Sequence, residues 1–62
     1  MNETSFYVAE SISELYNIDM EEAKKIVMDS WFPKILKKRP DYVHHYDADY
    51  WAKEIMEDVS VR

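Results

Sequence analysis

The stretch that decides the fold is residues 12–27, ISELYNIDMEEAKKIV, because it holds the end of one helix, a tight turn and the start of another. The chain contains no glycine, so Asn17 is the residue expected to take the left-handed conformation that ends a helix. Asp19 is followed three residues later by Glu22, and this spacing predicts an N-terminal capping box for the second helix. The stretch therefore predicts two helices that fold back on each other.

Outward from this turn, apolar residues recur at helical spacing, and no segment alternates as a strand would. Pro33 disfavours helical backbone at Phe32 and suits the first turn of a new helix, so a break is expected there. Pro40 ends that short helix, and Asp47 is a favourable N-cap for the last one. The sequence therefore predicts an all-α, small three-helix domain, with main helices over about 4–16, 19–30 and 48–59 and one or two short helices, over about 33–38 and 41–45, between the second and the last.

The core of such a domain is small. The 62 residues are expected to form a single helical domain, 1–62, and a domain of this size buries only about 60% of the surface that its unfolded chain exposes. Two Trp, five Tyr and two Phe are more large rings than this core is expected to cover. The apolar stripes predict a core made of Val8, Ile12, Leu15, Ala23, Ile26, Val27, Ile35, Leu36, Trp51, Ala52 and Ile55.

The surplus of aromatic side chains indicates a binding surface. Trp and Tyr supply much of the binding energy of an interface when they fill pockets of the partner. Four of them lie at or beside predicted helix breaks, where rings are least easily buried. We expect the partner-binding residues to be Trp31, Tyr42, Tyr46 and Tyr50. The expected partner is another protein or a second copy of the chain, since a homodimer would cover the rings symmetrically.

Composition excludes several classes of site. Without Cys there is no disulfide, no thiol nucleophile and no Cys-ligated zinc, and without Gly there is no P-loop or dinucleotide-binding turn. No apolar run approaches the roughly 18 residues of a membrane span, and no basic-then-apolar leader opens the sequence. These features favour a soluble, cytoplasmic protein that does not associate with a membrane.

One cluster has residue types that can bind metals, namely His44 and His45 with Asp47 and Asp49. Adjacent residues point to different sides of a helix, so the two histidines are not expected to share an ion. No glycine-rich turn presents a serine to an oxyanion hole, and neighbouring carboxylates diverge on a helix. We therefore expect no catalytic residue, no metal ligand and no cofactor.

Charge falls into three blocks. Residues 1–23 have six acids and no base, residues 24–39 have six bases and one acid, and residues 40–62 have six acids and two bases. The basic block offers an alternative function, because four cations could hold phosphates while Trp31 and Tyr42 stack bases. The candidate nucleic-acid-binding residues are Lys34, Lys37, Lys38 and Arg39. A net charge of −5 is unlike that of most nucleic-acid-binding domains, so this function is disfavoured.

Residues 12–27 also resemble a helix-turn-helix, with an apolar Ile18 after the turn and Ala23 and Ile26 at core positions. The resemblance covers about a quarter of the chain and implies a hairpin that binds nucleic acid. In size and acidity the chain is similar to small bacterial and phage proteins that act on a larger protein. We expect a small non-catalytic protein–protein interaction module, acting as a bacterial or phage regulator or inhibitor or as a homodimeric accessory protein.

Overall fold

The computed structural model describes residues 1–61, which contain five α-helices and no strands. They are α1 (Glu3–Tyr16), α2 (Met20–Asp29), α3 (Phe32–Lys38), α4 (Pro40–His45) and α5 (Ala48–Val61). The predicted all-α class is confirmed, and both predicted short helices are present between the second main helix and the last. None of these helices has the length and apolar character that crossing a bilayer requires.

The α1–α2 hairpin closes through Asn17 and Ser13. Asn17 has φ 54° and ψ 48°, so it adopts the left-handed conformation predicted for it. Its backbone N–H and that of Ile18 both donate to the Ser13 carbonyl, and the Ser13 hydroxyl donates to the Ile18 carbonyl at 2.6 Å. A hydroxyl inside the last turn of α1 therefore holds the first residue beyond the turn in place.

The predicted capping box at Asp19 is wrong. The Asp19 side chain makes no capping hydrogen bond and lies exposed, although its carbonyl accepts the first bond of α2 from Ala23 at 2.9 Å. The bonds at Ser13 already fix the path of the chain into α2, and a carboxylate is well hydrated in solvent. Asp19 thus acts on α2 only as a negative charge beside its N-terminus, together with Glu21 and Glu22.

The break between α2 and α3 comes earlier than predicted. Ser30 ends α2, and its hydroxyl donates to the Val27 carbonyl at 2.6 Å and accepts from the Phe32 backbone N–H at 3.1 Å. One serine therefore caps the end of α2 and the start of α3. As a result Phe32 is not the break but the first residue of α3, and Pro33 follows it in the first turn.

The core differs from the prediction at a few positions. Its buried apolar members are Val8, Ala9, Ile12, Ala23, Val27, Phe32, Val43, Trp51, Ala52 and Ile55. Ile26, Ile35 and Leu36 are partly buried against them. Leu15 is 47% exposed, which contradicts the prediction, because the buried face of α1 ends at Ile12 and its last turn has no buried residue.

Candidate protein-binding surface

The buried indole of Trp51 organises the corner between α4 and α5. Trp51 is 3% exposed, and its Nε1–H donates to the Val43 carbonyl at 2.8 Å, close to the end of α4. Asp47, in the connection, caps α5 as predicted, since its Oδ1 accepts from the Tyr50 N–H at 2.9 Å. These two hydrogen bonds fix the α4–α5 connection and therefore the directions of the aromatic side chains around it.

All four rings predicted to bind a partner contact Trp51. The distance from the Trp51 ring centroid is 6.0 Å to Trp31, 5.7 Å to Tyr42, 5.9 Å to Tyr46 and 4.9 Å to Tyr50. The four side chains come from three different segments of the chain, and all four lie edge-on to the indole. The structure therefore brings the four predicted residues into one aromatic cluster with Trp51 at its centre.

Three members of this cluster form what we call the tyrosine surface, which is Tyr42, Tyr46 and Tyr50. Tyr46 and Tyr50 are stacked, with ring centroids 4.2 Å apart and an interplanar angle of 17°. Tyr42 meets Tyr46 edge-on at 5.7 Å. Tyr42 is 40% and Tyr46 39% exposed, while Tyr50 is half-buried. Trp31 is also half-buried, with Phe32 and Trp51 as ring neighbours.

Tyr46 also lines a groove between α1 and α4, which we call the α1–α4 groove. Its volume is about 290 Å³. The buried side chains of Val8, Val43 and Trp51 give it an apolar floor, and the rings of Tyr7 and Tyr46 line it as well. Tyr46 thus belongs to both features, so the tyrosine surface and the groove are continuous.

Sequence reasoning missed Tyr7, which is 54% exposed and the most exposed tyrosine of the described residues. A signal for it was present in the sequence, because Phe6 and Tyr7 are adjacent on a helix and cannot both face the same core. Phe6 is exposed as well, and the two rings meet edge-on at 6.1 Å. Glu3 and His44 add a carboxylate and an imidazole to the groove lining.

The pKa of Tyr50 reflects its place in the cluster. Partial burial raises this pKa, and the nearby carboxylate of Glu54 raises it further. The phenols of Tyr42 and Tyr46, and a side-chain hydrogen bond with Tyr42, act in the same direction. The phenol of Tyr50 is therefore neutral at physiological pH, and it shares a hydrogen bond with the phenol of Tyr42.

The predicted nucleic-acid-binding residues lie on α3 and just after it. Lys34, Lys37, Lys38 and Arg39 are all exposed, and none of them forms an ion pair within residues 1–61. The Arg39 guanidinium carbon lies 5.5 Å from the ring centroid of Tyr42. The basic segment therefore reaches the tyrosine surface at one edge.

The hairpin that resembles a helix-turn-helix has an acidic leading end. Asp19, Glu21 and Glu22 are exposed at the start of α2, which is where a recognition helix contacts bases. Phosphates would repel these carboxylates. The geometry of a helical hairpin is present, but its charge does not suit a DNA contact.

Two histidines lie at the α4–α5 corner, and one of them packs on a ring of the tyrosine surface. His44 and His45 are both exposed, and the His45 ring lies edge-on to Tyr46 at 4.9 Å. Among residues 1–61 there is no group of three or more His, Asp or Glu side chains placed to hold a metal ion.

Comparison with known proteins returns no match, whether against protein-family models, curated proteins or solved structures. The features of the molecule that bear on its function are the aromatic cluster, the α1–α4 groove and the distribution of charge.

Proposed function

We propose that this protein is a small non-catalytic interaction module that binds another protein through the tyrosine surface and the adjoining α1–α4 groove. The observation that carries the proposal is the open arrangement of rings around Trp51, in which Tyr42 and Tyr46 each keep about two-fifths of their surface in solvent. We further propose that it acts in the cytoplasm, as a bacterial or phage regulator or inhibitor.

The arrangement of the rings supports such a role energetically. Tyrosine is enriched among residues that dominate binding, because it offers a large apolar face and a hydroxyl and has few rotatable bonds. Tyr46 is already stacked on Tyr50 and faces Tyr42 edge-on, so little rotamer freedom remains to be lost when a partner binds. The rings are therefore organised before binding, and this favours affinity.

The proposal predicts that Tyr46→Ala abolishes capture of a partner. The tagged protein would be incubated with a lysate of the organism that encodes it, with and without nuclease, and stoichiometric partners identified by mass spectrometry. We expect one protein to be retained after nuclease treatment and to be lost with Tyr46→Ala, because hot-spot tyrosines contribute about 2 kcal/mol or more to an interface.

Tyr16→Ala is the matched control, since Tyr16 is also exposed but lies at the far end of α1, away from the groove lining. Circular dichroism of both variants would show that the helices are retained. Retention of the same partner by Tyr46→Ala would contradict the proposal. Sedimentation of the purified protein would identify a second copy as the partner.

A second candidate function is nucleic-acid binding by the basic segment. The observation that favours it is the contact of Arg39 with Tyr42, which places cations beside a ring that could stack a base. The nuclease arm of the same experiment decides between the two functions. Capture that disappears with nuclease, and with Lys37→Ala, would favour the basic segment and would contradict protein binding.

A further inference from the structure

We infer that the α1–α4 groove takes a basic amphipathic segment of a partner protein, with an apolar side chain on the groove floor and lysine or arginine side chains along its edges. This inference rests on the proposed function and specifies the chemistry of the partner. Three features of the groove carry it, namely its apolar floor, the charge of the helices around it and the exposed rings of Tyr7 and Tyr46.

The floor selects an apolar side chain. Val8 and Val43 are each 1% exposed and Trp51 is 3% exposed, so the groove ends on core residues that are already anchored by packing. Its volume of about 290 Å³ is at the lower limit of the roughly 300–1,000 Å³ that small-molecule sites occupy. A groove of this size, open to solvent, suits side chains presented by a peptide segment better than it suits an enclosed metabolite.

The excess of acidic residues on the helices around the groove favours a cationic partner. α1, α4 and α5 together carry eight acids and a single lysine, Lys53, whereas α3 carries three lysines and no acid. The negative charge of the protein is therefore concentrated on the elements that form the groove. The eight acids are Glu3, Glu10, Glu14, Asp41, Asp49, Glu54, Glu57 and Asp58. A field of one sign attracts partners of the opposite sign and raises their association rate.

The rings can bind the same cations directly. Within this chain, Lys24 Nζ lies 5.9 Å from the Phe6 ring centroid, and the Arg39 guanidinium carbon lies 5.5 Å from that of Tyr42. Both distances fall in the range of cation–π interactions. Tyr7 is a neighbour of Phe6 on α1, and within residues 1–61 no lysine or arginine lies over its ring. A lysine or arginine of the partner can therefore contact both the Glu3 carboxylate and the ring of Tyr7.

The test uses fluorescein-labelled amphipathic peptides of about 14 residues, which is four helical turns. One is built from leucine and lysine, and a matched peptide has glutamate at every lysine position. Binding to the folded protein would be followed by fluorescence anisotropy. We expect the lysine peptide to bind and the glutamate peptide not to bind. The floor favours both equally, whereas the Glu3 carboxylate and the net negative charge of α1, α4 and α5 favour only the first.

Paired variants locate the binding site. We expect Tyr7→Ala to weaken binding of the lysine peptide by about tenfold and Glu3→Gln by about threefold. Tyr16→Ala and Glu22→Gln are the matched controls, because both side chains are exposed and lie outside the groove lining, and Glu22 on α2 is not one of the eight acids of the helices around the groove. Both variants should bind the peptide as the unchanged protein does. Circular dichroism would verify that each variant is folded.

Several outcomes would overturn the inference. Equal binding of the two peptides would show that charge does not determine which peptide binds. If Tyr7→Ala left binding of the lysine peptide unchanged, the peptide would bind outside the groove. Binding of neither peptide, or a dimer in solution that Tyr7→Ala dissociates, would also overturn it. If Tyr46→Ala still abolished capture of a lysate partner while Tyr7→Ala did not, the proposed function would stand and this inference alone would fail.

Discussion

At the scale of single residues, Trp51 explains why the aromatic side chains of residues 42–50 and that of Trp31, 20 residues before Trp51 in the sequence, form one cluster. Its indole is fixed by the bond to the Val43 carbonyl, and the rings of Trp31, Tyr42, Tyr46 and Tyr50 pack around it. Each ring pair of this kind adds about 0.5–1.5 kcal/mol beyond the burial of its area. The cluster therefore stabilises the fold and also displays the exposed rings in a defined geometry.

The environment of Tyr50 predicts a late step in an alkaline titration. Its pKa is raised by partial burial and then by Glu54, so its phenol should ionise at a higher pH than a free tyrosine does. We expect Tyr50→Phe to remove a component of the tyrosinate absorbance titration that lies above the ordinary tyrosine pKa of about 10. A titration in which that component survives this substitution would contradict the assignment.

The same shift fixes a direction for stability. Because the folded pKa of Tyr50 lies above the unfolded value of about 10, its contribution to the free energy of unfolding is complete below that pH. The contribution is lost as the pH rises through the raised, folded pKa. Between the unfolded and the folded pKa, the free energy of unfolding should therefore fall less with pH for Tyr50→Phe than for the unchanged protein. Urea denaturation at several alkaline pH values measures this difference.

At the scale of secondary-structure elements, local signals predicted the helices better than they predicted the packing. The turn at Asn17 and the cap at Asp47 were predicted because each depends on a few neighbouring residues. The exposure of Leu15 and the burial of Phe32 depend on which other helices lie nearby, so periodicity along one helix could not show them. The same reason applies to the α1–α4 groove, whose two sides are distant in sequence.

Two aspartates at helix starts allow a matched test of capping. Asp47 Oδ1 accepts a hydrogen bond from the Tyr50 N–H, whereas the Asp19 side chain makes no capping bond. We expect Asp47→Ala to lower the free energy of unfolding by about 1 kcal/mol. Asp19→Ala should cost less, because only its charge near the helix N-terminus is lost. Thermal unfolding of the two variants measures the difference, and equal losses would contradict these capping roles.

At the scale of the whole molecule, positive and negative side chains are concentrated on different helices. The lysines of α3 lie on one element, and most of the acids lie on α1 and α5. The three charge blocks were visible in the sequence, but only the structure shows that the helices with excess acid share a groove. The predicted binding residues could be named because exposed rings were expected near helix breaks. Tyr7 was missed because it lies inside a regular helix, although the adjacent Phe6 and Tyr7 already indicated that one of the two rings is exposed.

The position of Trp51 has an optical consequence. Three tyrosines lie with ring centroids within 6 Å of its indole, so light absorbed by them is transferred to tryptophan, and their own fluorescence is quenched in the folded protein. Unfolding lengthens the distances from Trp51 to Tyr42 and Tyr46 and restores part of the tyrosine emission without any attached label. If this emission and the helical dichroism change at one temperature, the aromatic cluster and the helices unfold as one cooperative unit. Emission that returns before the helices melt would instead mean that the α4–α5 corner opens first, as a separate and less stable part of the molecule.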